Sequence, residues 1–392
     1  MRKLLYTFAL IGVLINFTTA QGIKFEKGTW AEIKAKAQAE NKFIFVDAYT
    51  AWCGPCKMQD KKVFPLKEVG DFFNKNYVSY KIDIEKGEGR GFAKKYKIRV
   101  VPTMLYFNSK GEIVHKTVGV SPEKPAEALL AKAKNALNPE TQAYTLQHRF
   151  EKGEKGRDFL KKYVDALSVT GEDISKPVSM YLTQLSQSEW ATAKGWSFIK
   201  KYVNKSTVDA FMFVAKNQDK FVKLAENKKE VEKFITRVFN QDMVDLMLSK
   251  DQAKFETLKG KLKQAYGKNA AKHIARAEYM LHARDKENLH PFACKYFDKY
   301  CDTASDFYAV AWRYHKIYDD VTRLEKALTW IDHAIKLDKN FYYPGMKAEL
   351  LFKLKRYQKA KKEAEAFIAL AKKAKKNSKQ AEKLLEKINA KL

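Results

Sequence analysis

A short apolar run that leads into two closely spaced cysteines restricts the fold of this chain more than any other feature. Residues Phe43–Val46 are continuously apolar, as expected for a β-strand that is buried on both faces. Cys53-Gly54-Pro55-Cys56 follows soon afterwards, and a proline is well tolerated in the first turn of a helix. The cysteine pair is therefore predicted to lie between a buried strand and the N-terminus of a helix.

Strand and helix patterns alternate from Gly28 to about Lys134. The predicted helices are one capped by Thr29, one running from Cys56 past Phe64 towards Phe73, one at Phe92–Tyr96 and one at Pro125–Leu137. The predicted strands are Phe43–Val46, Val78–Ile84, Thr103–Phe107 and, after the turn Asn108–Gly111, the hairpin partner Ile113–Val118. Strands separated by helices early and a hairpin late predict an α/β fold with a mixed sheet and helices on both faces.

Beyond Pro139 the strand patterns vanish and amphipathic helices continue to Leu392. We therefore expect a signal peptide at 1–20, an α/β domain at 21–138, a helical region at 139–300 and a further all-α helical-hairpin region at 301–392. In the last region, the spacing of Ala311 and Tyr314, and of Ala327 and Ile331, is similar to tetratricopeptide repeats. The core of any helical hairpin would give the same spacing, and both interpretations stay open.

The first twenty residues have the pattern of a secretory signal. Arg2 and Lys3 are followed by the mostly apolar stretch Leu4–Phe17 and the small residues Thr18–Ala20, which predicts cleavage after Ala20. A membrane anchor is disfavoured because about 20 apolar residues are needed to span a bilayer. No later stretch is long and apolar enough, so we expect a soluble mature protein in the periplasm, with secretion as the alternative. Disulfides form and persist in such compartments.

The chain is strongly basic, with a net charge of +29 that comes mainly from lysine. Lysine is a hydrated point charge and is less suited than arginine to forked recognition of phosphate. Solvated helix faces are the favoured explanation, and attraction to anionic partners or envelope surfaces is the alternative. Nucleic acid is not expected as a partner, because no binding motif is present.

The spacing of Cys53 and Cys56 is compatible with more than one chemistry. A zinc site needs two further ligands, and the other cysteines, Cys294 and Cys301, lie far away in the chain, so no metal is expected. At a helix N-terminus, unpaired amide groups and the helix dipole favour the thiolate of Cys53, which is the attacking species in disulfide exchange. Cys56, one turn into the helix, is expected to be shielded and to attack the mixed disulfide. A purely structural disulfide stays the alternative.

Several separated segments resemble thioredoxin, in the same order along the chain. They are Phe45–Met58, Tyr80–Asp83, Lys97–Thr103 and Val118–Val120, and the resemblance covers roughly residues 25 to 137. The run from Lys61 to Phe73 is closer to exported thioredoxin-like domains, such as the periplasmic C-terminal domain of the thiol:disulfide interchange protein DsbD. The sequence is thus identified as a member of the thioredoxin superfamily with a C-terminal helical extension.

This resemblance implies roles for individual residues. Cys53 would be an exposed nucleophile and Cys56 the resolving thiol; Asp47 would be a buried carboxylate with a raised pKa that relays a proton for Cys56, and Lys81 would be its basic partner. A carboxylate that merely faces solvent is the alternative for Asp47. The residues implied in substrate binding are Trp52, Gly54, Pro55, Val101, Pro102 in the cis form, and Gly119. No cofactor is expected besides the redox-active Cys53–Cys56 disulfide.

The function implied is that of a thiol–disulfide oxidoreductase that reduces or rearranges disulfides of exported proteins. The Gly54-Pro55 dipeptide resembles that of thioredoxin and favours a reductant, with an oxidant or isomerase as alternative. An unidentified electron donor would recharge the pair. A different class of function stays open, in which the helical region binds an acidic envelope partner and the thioredoxin-like unit is accessory.

Cys294 and Cys301 raise a separate question. Seven residues of continuous helix would separate their Cα atoms by about 10.5 Å, whereas a disulfide needs about 4.4–6.8 Å. They can pair only if the helix breaks between them. Free thiols and a structural disulfide both remain possible at this stage.

Overall fold

A computed structural model describes residues 22–338, 340, 342–374 and 376–392. The chain divides into two compact units, one that ends at Ser186 and one that comprises Gln187–Leu392. The predicted signal peptide at 1–20 lies outside the described residues. The boundaries proposed at 138 and 300 stay predictions, although the first unit includes helices beyond Pro139.

The first unit contains five strands and the helices that surround them. The strands are β1 (Phe25–Glu26), β2 (Phe43–Tyr49), β3 (Tyr77–Asp83), β4 (Thr103–Phe107) and β5 (Ile113–Val118). The helices are α1 (Trp30–Glu40), α2 (Gly54–Lys62), α3 (Lys67–Asn76), α4 (Gly89–Lys95), α5 (Pro125–Leu137), α6 (Ala143–Glu151), α7 (Arg157–Leu167) and α8 (Ser175–Thr183).

The strands form one mixed sheet in the order β1-β3-β2-β4-β5. Strands β1, β2 and β3 are parallel, whereas β4 runs antiparallel to β2 and β5 antiparallel to β4. Successive side chains of β2 point to opposite faces, so that Phe45 packs in a core shared with α2, α3 and α5, and Val46 in a core shared with α1 and α4. The predicted mixed sheet flanked by helices is confirmed.

Local sequence signals explain most of these elements. Helix α1 begins with a capping box, because Thr29 Oγ1 accepts a hydrogen bond from the Glu32 amide at 3.3 Å while the Glu32 carboxylate accepts one from the Thr29 amide at 2.7 Å. The predicted bounds of β4, β5 and α5 agree with the structure. Strand β1 was not predicted, since two residues give no alternation to recognise.

The prediction of one helix from Cys56 past Phe64 is wrong. The segment forms two helices, α2 and α3, and Pro65 lies in the break between them. Proline has no amide hydrogen and its ring clashes with the preceding turn, so it ends the first helix. The last part of the predicted helix is helical as α3, which buries Val69 and Phe73.

Residues beyond α5 form hydrogen bonds with β5 at the edge of the sheet. The Val118 amide donates to the carbonyl of Val169 at 3.0 Å, and His115 Nδ1 accepts the amide of Ala143 at 3.1 Å. Burial lowers the pKa of His115 to about 4, so its imidazole is neutral and can accept this bond. The helices that follow the α/β core thus cover the sheet edge that β5 would otherwise expose.

The second unit is all-helical in its described residues. Its α-helices are α9 (Gln187–Trp190), α10 (Ala193–Tyr202), α11 (Asp209–Lys216), α12 (Gln218–Ala225), α13 (Lys228–Ser249), α14 (Gln252–Tyr266), α15 (Ala270–His282), α16 (Leu289–Phe297), α17 (Ala304–Ile317), α18 (Val321–Leu337), α19 (Tyr342–Lys353), α20 (Tyr357–Lys373) and α21 (Lys379–Asn389), with a 3₁₀ turn at Gly267–Asn269. Consecutive helices pack in pairs, α17 with α18 and α19 with α20. The tetratricopeptide-like character of this region stays a prediction.

None of the helices in the described part of the chain is long and apolar enough to cross a membrane.

Candidate active site

Cys53 and Cys56 form a disulfide where the loop after β2 meets α2. Their sulfurs are 1.98 Å apart and their Cα atoms 5.3 Å apart. Cys53 is the N-cap residue of α2, and its Sγ accepts a hydrogen bond from the Cys56 amide at 3.1 Å. Pro55 occupies the first turn, as predicted. In the reduced protein this sulfur would be the thiolate, and the amide would stabilise its negative charge.

The expectation that Cys53 is exposed is wrong for the oxidised state. Cys53 and Cys56 are each 2% exposed. The two sulfurs cover each other because they are bonded, and the Cys56 amide lies against Cys53 Sγ. Exposed apolar side chains lie on the adjoining loops, with Trp52 68% and Val100 55% exposed.

Asp47 is buried within β2 and is only 1% exposed. In the described part of the chain, neither of its carboxylate oxygens accepts a hydrogen bond. Burial raises the pKa of Asp47 to about 6, the positive charge of Lys81 opposes this rise, and the negative charge of Asp60 adds to it. The solvent-facing alternative for Asp47 is therefore wrong.

Lys81 lies between two carboxylates. Its ammonium is 3.5 Å from Asp47 Oδ2 and donates a hydrogen bond to Asp60 Oδ1. It also faces three aromatic rings, the nearest of which is Tyr49, with the ring centroid at 4.9 Å. The sequence predicted Lys81 as the partner of Asp47 but missed Asp60. The position of Asp60, one helical turn after Cys56, was a signal that could have identified it.

Asp47 and Cys56 border the same layer between the sheet and α2. Cys56 and Gln59 are the buried residues of α2, and the Gln59 amide nitrogen lies 3.9 Å from the Met104 sulfur. Met104 is the direct cross-strand neighbour of Asp47 in the pairing of β2 with β4. The carboxylate and the second cysteine therefore face a common interior, which is where a proton relay between them requires them to be.

The structure brings the predicted docking residues together at one end of the sheet. The Val101–Pro102 peptide bond is cis, as the resemblance implied, and the Pro102 carbonyl accepts the Gly119 amide at 2.9 Å. Within the described residues, the amide and carbonyl of Val101 have no hydrogen-bond partner.

The other predicted docking residues lie on the loop and helix that carry the cysteines. The indole of Trp52 donates to Glu85 at 2.9 Å. Gly54, like Pro55, is exposed in the first turn of α2. The roles assigned to these residues stay predictions.

The cysteines of the second unit, Cys294 and Cys301, are both free. Helix α16 ends at Phe297, so the helix does break between them, and the thiols nevertheless remain unpaired. Burial raises the pKa of each. No group of three potential metal-ligating side chains occurs among the residues that the structure describes, and the expectation of a metal-free site stays a prediction.

Comparison with known proteins gives concordant matches to the first unit. Residues 30–134 match the family model of the thioredoxin-like domain. Thioredoxin-1 of Saccharomyces cerevisiae is 36% identical over 100 residues, which are 25% of this chain and 87% of the yeast protein. The thioredoxin of Mycoplasmoides gallisepticum is 31% identical over 90 residues, 23% of this chain and 83% of that protein. A solution structure from Bacteroides thetaiotaomicron, described as a candidate disulphide isomerase, is 43% identical, covers 30% of this chain and 96% of its own, and has a TM-score of 0.28.

A redox-active Cys-x-x-Cys pair at the start of the helix after the central strand of a mixed sheet defines a thiol–disulfide oxidoreductase. The chain belongs to the thioredoxin family. The family match ends at residue 134, so the helices from α6 onwards lie outside it.

Proposed function

We propose that this chain is an exported oxidoreductase that reduces or rearranges disulfides of partner proteins through Cys53 and Cys56. The observation that carries the proposal is the hydrogen bond from the Cys56 amide to Cys53 Sγ at the N-terminus of α2. An amide donor directed at this sulfur favours the thiolate, and the thiolate is the form that attacks a disulfide. Cys53 is accordingly the nucleophile.

In the first step, the Cys53 thiolate attacks one sulfur of the partner disulfide. A mixed disulfide forms, the partner's sulfur–sulfur bond breaks, and the departing partner sulfur leaves as a thiolate that takes a proton from water. Opening the Cys53–Cys56 bond by reduction must precede this step, because the oxidised pair has no free thiol.

In the second step, Cys56 attacks the Cys53 sulfur of the mixed disulfide. The thiol of Cys56 gives up its proton to the Asp47 carboxylate, and the second partner thiolate departs as the Cys53–Cys56 disulfide re-forms. A pKa of about 6 suits Asp47 to this task, since the carboxylate is ionised at neutral pH and yet basic enough to accept a proton. Two electrons pass from the cysteine pair to the partner; the first partner thiolate takes its proton from water, and the second takes the proton that Asp47 received from Cys56.

The Val101–Pro102 segment is proposed to align the partner. The unpaired amide and carbonyl of Val101 offer one donor and one acceptor to an extended chain, in the manner of an added β-strand. Trp52, Gly54, Pro55 and Gly119 would line the same cleft. A dithiol donor of unidentified nature would return the pair to the reduced state, and no cofactor is required in this scheme.

Residues 1–20 support export to the periplasm, with secretion as the alternative, through their basic, apolar and small-residue segments. The test is fractionation of cells that produce the full chain, combined with N-terminal sequencing of the product. A mature N-terminus at Gln21 in the periplasmic fraction is expected. An intact N-terminus in the cytoplasm would refute export without affecting the redox chemistry.

Trapping tests the redox proposal most directly. In a Cys56→Ser variant the mixed disulfide on Cys53 cannot be resolved, so partner proteins should accumulate on Cys53 and can be identified by mass spectrometry. The Cys53→Ser variant is the matched control and should trap none. Purified wild-type protein should also reduce insulin with dithiothreitol as donor. The proposal fails if Cys56→Ser traps no more than Cys53→Ser.

A second candidate function rests on a cavity of about 350 Å³ in the second unit. Its lining includes Trp312, which is 50% exposed, and Lys316, whose ammonium lies 5.8 Å from the centroid of the Trp312 ring. An exposed aromatic ring beside a cation suits an acidic partner segment. A Cys53→Ser, Cys56→Ser double variant separates the two functions: a cellular role that survives this change belongs to the helical region.

A further inference from the structure

We propose that Val169, in the turn between α7 and α8, forms an additional wall of the substrate cleft and contacts an apolar side chain of the docked partner segment. This inference rests on the proposed docking of an extended segment along Val101–Pro102. It concerns a turn that lies outside the match to the thioredoxin-like family model, which ends at residue 134.

The position of Val169 follows from the hydrogen bonds at the end of β5. Successive amides of an extended strand point to opposite sides. The Gly119 amide points to the Pro102 carbonyl, at 2.9 Å, and the neighbouring Val118 amide points to the Val169 carbonyl, at 3.0 Å. Pro102 and Val169 therefore lie on opposite sides of Val118 and Gly119. The distance between their backbones is about two inter-strand spacings of about 4.8 Å each.

The same row of the sheet leads to the cysteine pair. Ala48 of β2 pairs with Thr103, and Thr103 pairs with Val118 of β5. Val169 extends this row by one position on the far side of β5. The loop that carries Cys53 follows β2 directly, so the turn of Val169 lies at the end of the sheet where the redox chemistry takes place.

The turn is held in place by several contacts within the first unit. Thr170 is fully buried, its hydroxyl donates to the Leu167 carbonyl at 2.7 Å, and the same oxygen accepts the Glu172 amide at 3.1 Å. The Glu172 carboxylate accepts a hydrogen bond from Lys116 of β5. Gly171 has φ +75° and lies close enough to Val118 that a Cβ would be 3.4 Å from its side chain. A turn fixed in this way is preorganised for binding.

The chemistry of the wall indicates an apolar ligand. Val169 is 36% exposed although its carbonyl is bonded to β5, and Val100, on the other side of Pro102, is 55% exposed. Trp52, 68% exposed, lies on the other side of the cysteine pair, where its indole donates to Glu85 beyond the end of β3. The wall adjoins the Val101 backbone that is proposed to dock the partner, so the same segment occupies both. The ligand is therefore an extended segment of the disulfide-bearing partner, with an apolar residue close to its cysteine.

A set of short synthetic peptides tests the inference. Each consists of alanine and serine around one cysteine held as a mixed disulfide with glutathione, with a single leucine placed in turn at each nearby position. Reduction is followed with dithiothreitol as donor, and kcat/KM is compared with that of the leucine-free peptide. The wild-type chain should prefer leucine at one position by about fivefold, as partial burial of such a side chain implies.

Val169→Asp should abolish this preference and should instead favour lysine at the same position. The gain on the lysine peptide shows that the variant is folded. The matched control is Val244→Asp, since Val244 is 37% exposed on α13 of the second unit, and it should keep the leucine preference. A leucine preference that is absent in the wild type, or that survives in Val169→Asp, overturns the inference.

The outcome for the leucine-free peptide separates this inference from the proposed function. If the wild-type chain reduces that peptide but shows no preference, only the wall at Val169 is refuted. If it reduces none of the peptides, the proposed reduction of partner disulfides fails as well.

Discussion

The buried carboxylate of Asp47 lies 3.5 Å from the ammonium of Lys81, whereas Lys81 directs its hydrogen bond to a different carboxylate, that of Asp60. The negative charge of the buried Asp47 carboxylate is thus only partly compensated by Lys81. Burial raises its pKa, and the nearby cation limits the rise to about 6. This balance determines how the protein should respond to pH and to substitution.

Asp47→Asn is expected to slow the resolving step by about a hundredfold, because the amide cannot accept the proton of Cys56. In the wild type, the rate of this step should rise with pH through about 6 as Asp47 ionises. The measurement is stopped-flow release of thionitrobenzoate from its symmetrical disulfide by the reduced protein. The first equivalent reports attack by Cys53, and the second reports resolution by Cys56.

The first phase serves as an internal control for this variant. The rate of the first phase should change far less than that of the second, since Asp47 is proposed to accept the proton of Cys56 and not that of Cys53. A second phase that lacks a pH inflection in the wild type, or that keeps one near pH 6 in Asp47→Asn, would contradict the relay.

Asp47 should also make the first unit less stable as pH rises. Its folded-state pKa of about 6 is above the ordinary value of 3.8, so between these values the folded state binds more protons than the unfolded state. The free energy of unfolding should therefore fall by up to about 3 kcal/mol across this range and stay low above it. This direction is opposite to that of a salt-bridged carboxylate with a lowered pKa.

Hydrogen exchange of the β2 and β3 amides in the oxidised protein measures this effect. Asp47→Asn should be stabilised relative to the wild type at neutral pH, and this advantage should disappear near pH 4, as both states of the wild type become protonated. A stability difference that does not depend on pH would show that the pKa of Asp47 is the same in the folded and unfolded states, and would contradict a raised folded-state pKa.

Asp60→Asn should lower the pKa of Asp47. The negative charge of Asp60 raises that pKa, and its removal also frees the Lys81 ammonium to approach Asp47. The inflection of the resolving step should move to lower pH. Asp71→Asn is the matched control, because Asp71 forms an exposed surface pair with Lys67 at 2.6 Å and should leave the inflection in place. A shift of the inflection to higher pH in Asp60→Asn would refute this arrangement.

The sequence predicted those parts of the fold and site that are encoded locally. The cap at Thr29, the strand that leads to Cys53 and the proline in the first turn of α2 are all properties of short segments. The break at Pro65 was also local, but the sequence was predicted to continue through it as one helix from Cys56 towards Phe73.

What the sequence did not predict depends on residues far apart in the chain. The contact of Asp60 with Lys81 joins a helix to a strand, and that of Val118 with Val169 joins the sheet to the turn between α7 and α8. No periodicity or spacing specifies such pairs. The burial of Cys53 was missed for the same reason, since the cysteine spacing alone does not specify which groups cover the sulfur.

Alkylation should distinguish the cysteines of the two units. In the reduced native protein at neutral pH, iodoacetamide should modify Cys53 first, because the Cys56 amide stabilises its thiolate. Cys294 and Cys301 should react slowly, because burial raises the pKa of both thiols. Peptide mapping by mass spectrometry gives the order, and the denatured chain, in which all 4 cysteines should react, is the control. Labelling of Cys294 as fast as that of Cys53 would contradict this assignment.

Two helical glycines of the second unit should respond to alanine in opposite directions. A Cβ on Gly195, in α10, would lie 2.1 Å from the carbonyl oxygen of Glu189, so Gly195→Ala forces the backbone apart and should cost about 1–3 kcal/mol. Gly260, in α14, has no atom within 4 Å of the added carbon, and Gly260→Ala should stabilise by up to about 1 kcal/mol through helix propensity. Hydrogen exchange of the α10 and α14 amides measures both changes. Equal effects of the same sign would mean that α10 does not approach Glu189 closely in solution.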